Sequence, residues 1–364
     1  MIAAVREDLD AGDRCAALVA GSDRARDLLA LAAAHDVRAW MIEALRACPE
    51  FGGVPDDHLV EHARAVAAQV HIRSTLARLA PRLVRSGVRW AVIGGPVLAE
   101  RIHGHPSMRT YTDLEILVDR RDLATALEVL GDHGFTEPDD RWAELDRIGA
   151  GAIPLGPGPC PAVLRWSLLA TPAERRSFAI DTDVVLDRAR IVDVDGCRVP
   201  TPDPVDTLLV LVLRAGLGGA NKLIWLKDID QAVRNQPFDR AEVDRRASEL
   251  HVRAMTDVVL ARVGAVLGAP VGGTSRLAAT TSVVDQLPRP QIALTEGLYS
   301  GLWVSSVRVS ARDTIRSGAD QLRAAGARLW SAVPGSGVPG GHGVGDERLA
   351  RSRYLANVAA GRHG

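Results

Sequence analysis

With 364 residues, 44 basic against 45 acidic side chains and 47% apolar residues, the chain is long enough for roughly two domains that each bury a core. A net charge of -1 provides no basic stripe for nucleic-acid phosphates and no polybasic tail for an anionic membrane. The opening MIAAVREDLD reaches charge too early for a secretory leader. The longest purely apolar run, residues 208–213, falls far short of a membrane span of about 20 residues, so a cytoplasmic protein without membrane contact is expected.

Residues 1–86 read as a helical region. Asp23 can cap a segment carrying Leu28, Leu29 and Leu31, a second segment carries Trp40, Ile42 and Leu45, and residues 57–85 hold Leu59, Val66, Leu76, Leu79 and Leu83 at helical spacing. Ser86-Gly87 is a plausible C-terminal cap. At residue 88 the period changes. VRWAVI (88–93) is a short β-rich run stopped by Gly94-Gly95, with Pro96 suited to the first turn of a helix to about residue 103. YTDLEILV (111–118) reads as a strand with Asp113 and Glu115 on one face, and residues 121–132 as a helix.

Residues 149–161 are rich in Gly and Pro and read as a loop, and residues 162–169 and 177–186 as further strands. Residues 192–199, turning at Asp195-Gly196, look like a hairpin. Helices are expected again over 203–215, 221–234 and 239–267, then a Thr/Ser/Gly-rich region with one helix over 310–331, a mobile Gly/Pro linker over 334–345 and a charged tail. The expected division is a helical region (1–86), a core (87–200), a helical region closing a cleft (201–270) and a variable C-terminal region (271–364).

The chemistry concentrates between Gly94-Gly95 and Asp113-Leu114-Glu115. Two carboxylates at i and i+2 on a strand project to one side, and like charges that close are costly unless a cation neutralises them. Magnesium prefers hard oxygen ligands and commonly bridges protein carboxylates to phosphates. The Gly-Gly turn and the helix start after it offer backbone N–H groups to phosphate oxygens. With carboxylates at 45 of 364 positions, acid-x-acid pairs arise by chance, so the weight lies in the pair's place downstream of a strand, Gly-Gly, helix unit. Asp181, with Asp183 two residues on, is the candidate third carboxylate if residues 177–186 form a strand. His103 and His105 read as isolated loop-surface residues, and the four cysteines, at 15, 48, 160 and 197, lack the spacing of a zinc site.

Residues 88–118 resemble the signature of the uncharacterised nucleotidyltransferase family in the DNA polymerase β-like superfamily: a strand ending in glycine, a helix, an arginine four residues before the first acid (Arg109), and an acid-x-acid strand. The resemblance extends over about residues 20–268 through Thr201-Pro202-Asp203 and the run KLIWLKD from Lys222 to Asp228. It implies an α/β (α+β) fold with a small mixed sheet flanked by N-terminal and C-terminal helical regions. It implies two-metal transfer of a nucleoside monophosphate from an NTP to an acceptor hydroxyl, with two Mg²⁺ ions, or Mn²⁺, held by Asp113, Glu115 and Asp181 as the catalytic carboxylates, Asp181 completing the acceptor-side metal and favouring the deprotonated nucleophile. Gly94, Gly95, Arg109 and Lys222 would bind the nucleotide, Lys222 being one of only two lysines in the chain.

This sequence departs from the family at three places: Gly94 replaces a usual lysine, Glu115 replaces an aspartate, and Asp183 replaces a strand histidine. Two alternatives therefore stand, a catalytically silent nucleotide-binding or protein-interaction module and a toxin-like enzyme acting on tRNA, which near-neutral charge disfavours. Neither the base of the NTP, the acceptor (small molecule, protein or RNA) nor the oligomeric state is fixed by any motif.

Overall fold

The computed structural model describes Val5 and residues 22–47, 54–137, 141–156, 158–269 and 344–363. The chain enters through three helices, α1 (Ser22–Ala34), α2 (Arg38–Arg46) and α3 (Asp56–Arg85). The first begins before Asp23, which is therefore inside the helix and not its cap. The third ends at Ser86 as expected, with Gly87 at φ 72°, a left-handed conformation open to glycine because it lacks a Cβ.

A four-stranded mixed sheet follows, built from β1 (Trp90–Val92), β2 (Leu114–Val118), β3 (Ala152–Leu155) and β4 (Ala162–Arg165) in the order β1-β2-β4-β3. Only the β2–β4 pair is parallel, with Glu115 opposite Val163 and Leu117 opposite Arg165. Between β1 and β2 lies the two-turn helix α4 (Gly95–Arg101), and after β2 come α5 (Leu123–Gly131) and α6 (Trp142–Ile148). Two short helices, α7 (Pro172–Ser177) and α8 (Thr182–Asp187), precede the hairpin of β5 (Arg190–Val194) and β6 (Cys197–Thr201). The hairpin turns at Asp195-Gly196 as the sequence indicates, and Thr201 Oγ1 donates to the Val92 carbonyl at 2.9 Å, tying it to β1.

The remaining helices are α9 (Pro204–Leu217), α10 (Leu223–Asn235), α11 (Arg240–Glu249), α12 (Arg253–Leu267) and α13 (Val344–Ala359). Asp203 caps α9 by accepting from the Asp206 N–H at 2.8 Å, so Thr-Pro-Asp is a helix-start signal. None of the described helices is long and apolar enough to cross a membrane.

Several expectations are corrected. The 177–186 segment is not a strand: a capping box from Thr171 to Glu174 starts α7, and Asp181 caps α8 by accepting from the Asp183 N–H at 2.9 Å. The Gly/Pro-rich stretch 149–161 contains β3, because Pro154 can occupy the edge of a sheet where its missing N–H is harmless. The long helix over 239–267 is two helices, broken where His251 takes φ 59°. The helix expected over 310–331 and most of the 334–345 linker lie outside the described residues. The charged tail is α13, packed against the core.

Two bodies of buried side chains result. One face of the sheet, with Trp90, Leu114, Ile116 and Leu164, packs on α3 and α5, and α13 contributes Tyr354 and Val358. The second body joins α1 and α2 to α9–α12, with Leu98 of α4 and Ile102 just after it bridging toward it. On the sheet's other face Ala91, Ile93 and Leu117 meet Val185 and Leu186 of α8, while Glu115 and Arg165 lie toward the seam with the helical body.

The Tyr354 hydroxyl donates to the Ala150 carbonyl at 2.7 Å and receives the Trp166 indole N–H at 2.9 Å. Tyr354→Ala is therefore expected to cost about 3–5 kcal/mol, by cavity formation and two lost hydrogen bonds, measured by denaturant melting. A loss below about 1 kcal/mol would show that α13 does not hold the core.

Candidate functional site

The turn after β1 is shaped by what lies beneath it. A Cβ on Gly95 would come within 2.3 Å of the Tyr111 ring, an overlap with a buried aromatic that cannot swing away. Gly94 stands over Glu115, where a Cβ would sit 3.4 Å from the Glu115 Cβ, an ordinary contact. Glycine is thus required at 95 and tolerant of alanine at 94. Gly95→Ala is expected to destabilise the fold by about 1–3 kcal/mol through overpacking. Gly94→Ala should stay within about 0.5 kcal/mol, and equal melting temperatures for the two variants would contradict this account.

Asp113 is the residue immediately before β2 and Glu115 the second residue of the strand, so the pair stands at its head as the sequence indicates. Glu115 is 7% exposed and is held from two sides. Arg214, from the last turn of α9, donates to Glu115 Oε1, and Arg165, from the end of β4, stands 3.5 Å from Oε2. Asp113 is half-buried and has no hydrogen-bond partner among the described residues. Burial, then the Glu115 charge, push its carboxyl above the ordinary carboxylate range, against the pull of Arg214, Arg165 and Arg109.

Arg109 is buried. Its Nε and Nη2 donate to both oxygens of Asp228 at 2.9 and 3.0 Å. His103 Nε2 shares Asp228 Oδ1 at 2.8 Å, and Gln69 donates to the Arg109 carbonyl at 2.8 Å. Burial works against ionising Asp228, yet the Arg109 charge and the His103 hydrogen bond hold its pKa below the usual range. These bonds tie the Arg109 loop to Asp228 of α10. His103, expected on a loop surface, is fully buried in this lock.

Lys222 stands just before α10 and pairs with Asp36 at 3.0 Å; Asp36 in turn acts electrostatically on Arg109, which places Lys222 on the rim of the same charged cluster. Asp181 is not brought to the pair. Asp181 caps α8, and its neighbour Asp183 bonds Arg121, past the C-terminal end of β2, at 3.0 Å. The strand beside β2 is β4, and the residue opposite Glu115 there is the apolar Val163. Among the described residues no group of three His, Cys, Asp or Glu side chains could hold a metal ion. Arg165 and Arg214 were not singled out by the sequence, since one arginine among many on a strand or helix carries no signal until the packing brings it to a carboxylate.

A family model described as an uncharacterised nucleotidyltransferase matches residues 22–268. The chain belongs to that family. Comparison with curated proteins returns no match. The matched span takes in the Gly94-Gly95 turn, Asp113, Glu115, both arginines and the Arg109–Asp228 lock, while α13 lies beyond it. Membership in a nucleotidyltransferase family supports nucleotidyl transfer in general and an NTP as substrate.

The donor set fits one divalent cation. Asp113 and Glu115 offer hard oxygens, the Glu115 charge helps to raise the Asp113 carboxyl, and magnesium commonly takes one or two carboxylates and completes its shell with phosphate oxygens and water. The same donor set does not supply the third carboxylate that Asp181 was expected to add.

Proposed function

We propose that this member of the family transfers a nucleoside monophosphate from an NTP to an acceptor hydroxyl and releases pyrophosphate, at the head of β2. The observation that carries the reading is the pair Asp113 and Glu115 beneath the Gly94-Gly95 turn, with Arg165 and Arg214 beside them. A bound cation, held by Asp113 and Glu115, would supply neutralisation of phosphate charge. Gly95 lets the turn approach the Tyr111 ring closely, and the Gly94 and Gly95 N–H groups at the start of α4 are the backbone donors that would meet phosphate oxygens. Asp113 and Glu115 are the oxygen donors for the cation. The acceptor oxygen bonds to the α-phosphorus, the bond from that phosphorus to the bridging oxygen breaks, pyrophosphate leaves with the electron pair, and the acceptor proton passes to solvent. Such a reaction asks of the protein mainly positioning and charge stabilisation.

The pKa shift of Asp113 sets a pH dependence. Its carboxyl lies above the ordinary value of 3.8, and a bound cation favours the ionised form. Affinity for a magnesium–NTP complex should therefore fall on acidification with a midpoint above 3.8, read by calorimetric titration across pH, and this component should vanish in Asp113→Asn. A flat profile in the parent protein would contradict the assignment.

A second reading, nucleotide binding without turnover, is favoured by one observation: Val163 stands across from Glu115 where a third carboxylate could have been. Pyrophosphate release, measured with each NTP, Mg²⁺ or Mn²⁺ and a lysate of the host, decides between them. Metal-dependent release supports transfer. Tight binding with no release selects the silent module.

A further inference from the structure

We propose that this site takes a single divalent cation, delivered with the phosphates of the nucleotide, and that Arg165 and Arg214 supply the second centre of positive charge by moving from Glu115 to phosphate oxygens. The inference rests on the nucleotide reading above. Its basis is the charge arrangement at the head of β2: the Glu115 carboxylate is held by two guanidinium groups, one from the sheet and one from the helical body, while Asp113 beside it makes no ion pair among the described residues. Glu115 is 7% exposed, and a carboxylate that buried needs a partner before any ligand arrives. The arginines are that partner. Their side chains are 22% and 32% exposed, so both reach solvent at the seam where a ligand would enter.

A second cation would need further oxygen ligands. Val163 offers none, Asp181 is engaged in capping α8, and among the described residues no third acidic, histidine or cysteine side chain completes such a group. A second cation would also lie beside fixed positive charge. A guanidinium presents a planar fork of N–H donors that matches phosphate oxygens in pairs, and it holds its charge at any pH the protein meets. An incoming triphosphate with one cation therefore exchanges partners. The cation takes Asp113 and Glu115, and the arginines released from Glu115 take phosphate oxygens. In the absence of nucleotide the same arginines hold Glu115, so a free divalent cation alone competes with two guanidinium groups and binds weakly.

The test counts metal ions and measures nucleotide affinity, neither of which requires turnover. The full chain is dialysed against Mn²⁺ with and without an α,β-methylene NTP analogue, and bound Mn²⁺ is counted and examined by electron paramagnetic resonance. One uncoupled Mn²⁺ per chain, bound at least tenfold more tightly with the analogue than without, is expected. Two spin-coupled ions, or tight binding without the analogue, would overturn the proposal. Arg165→Met and Arg214→Met should each weaken analogue binding at least tenfold, and Arg165→Lys and Arg214→Lys should recover part of that loss. The lysine variants keep a charge beside Glu115, so they also carry the test should a methionine variant fail to fold, with affinity several-fold below the parent protein. Unchanged affinity in folded variants of either arginine would refute its role. Failure of the parent protein to bind the analogue under any metal condition would instead remove the nucleotide reading on which the proposal stands.

Discussion

Asp113→Asn is expected to lower nucleotidyl transfer roughly a thousandfold, about 4 kcal/mol of transition-state stabilisation, while the protein melts at the same temperature or slightly higher. The two halves of this result have one cause. Asp113 makes no hydrogen bond among the described residues, and burial with the neighbouring Glu115 raises its carboxyl above the usual range. A carboxyl whose pKa is higher folded than unfolded costs stability at neutral pH, where it is ionised in both states, and regains it as pH falls through the folded value. The neutral amide removes that cost. It also removes a charged oxygen donor for the cation, and with it the neutralisation on which the phosphates depend. Steady-state assay with thermal melting checks both parts. A variant that loses activity because it unfolds would not support the assignment, and one that keeps both activity and fold would refute it.

Asp228→Ala is expected to cost about 3–5 kcal/mol of stability, as much as Tyr354→Ala. Asp228 is fully buried and accepts from both Arg109 and His103, so its removal strands a buried guanidinium with no counter-charge. Since folded proteins are stable by only about 5–15 kcal/mol, a variant that folds at low temperature and is largely unfolded when warmed is the expected phenotype. The sign of the pH effect follows from the lowered pKa. The contribution of Asp228 is fully present above the unfolded carboxylate value and is lost as pH falls through the folded one. Asp228→Asn retains an acceptor for one donor and should cost less. Denaturant melts of the two variants check the ranking, and a loss under about 1 kcal/mol for alanine would show that the seam between sheet and helices is held by something else.

The parts of the fold legible in the sequence are those set by local chemistry. The β1 run ended by two glycines, the Asp195-Gly196 hairpin and the Ser86-Gly87 helix end each follow from short-range backbone preference, and each is found where expected. The pair Asp113 and Glu115 was legible for the same reason, since spacing on or beside a strand fixes their nearness. Asp181 misled because FAIDTDVVL alternates like a strand, while the neighbouring Thr171-Pro172 and Asp181-Thr182 are helix starts that the alternation hid. The tie from Arg109 to Asp228 could not be read from the sequence, as its partner is 119 residues away. Arg165 and Arg214 were invisible for the same reason: their meaning lies in meeting Glu115 from two different elements.

The most direct measurement is mass spectrometry of the purified chain incubated with each NTP, Mg²⁺ or Mn²⁺ and a lysate of its host, with Asp113→Asn in parallel. The account predicts a metal-dependent mass increase of one nucleoside monophosphate residue on a lysate component, produced by the parent protein and missing with the variant. The same adduct appearing undiminished with Asp113→Asn would contradict it.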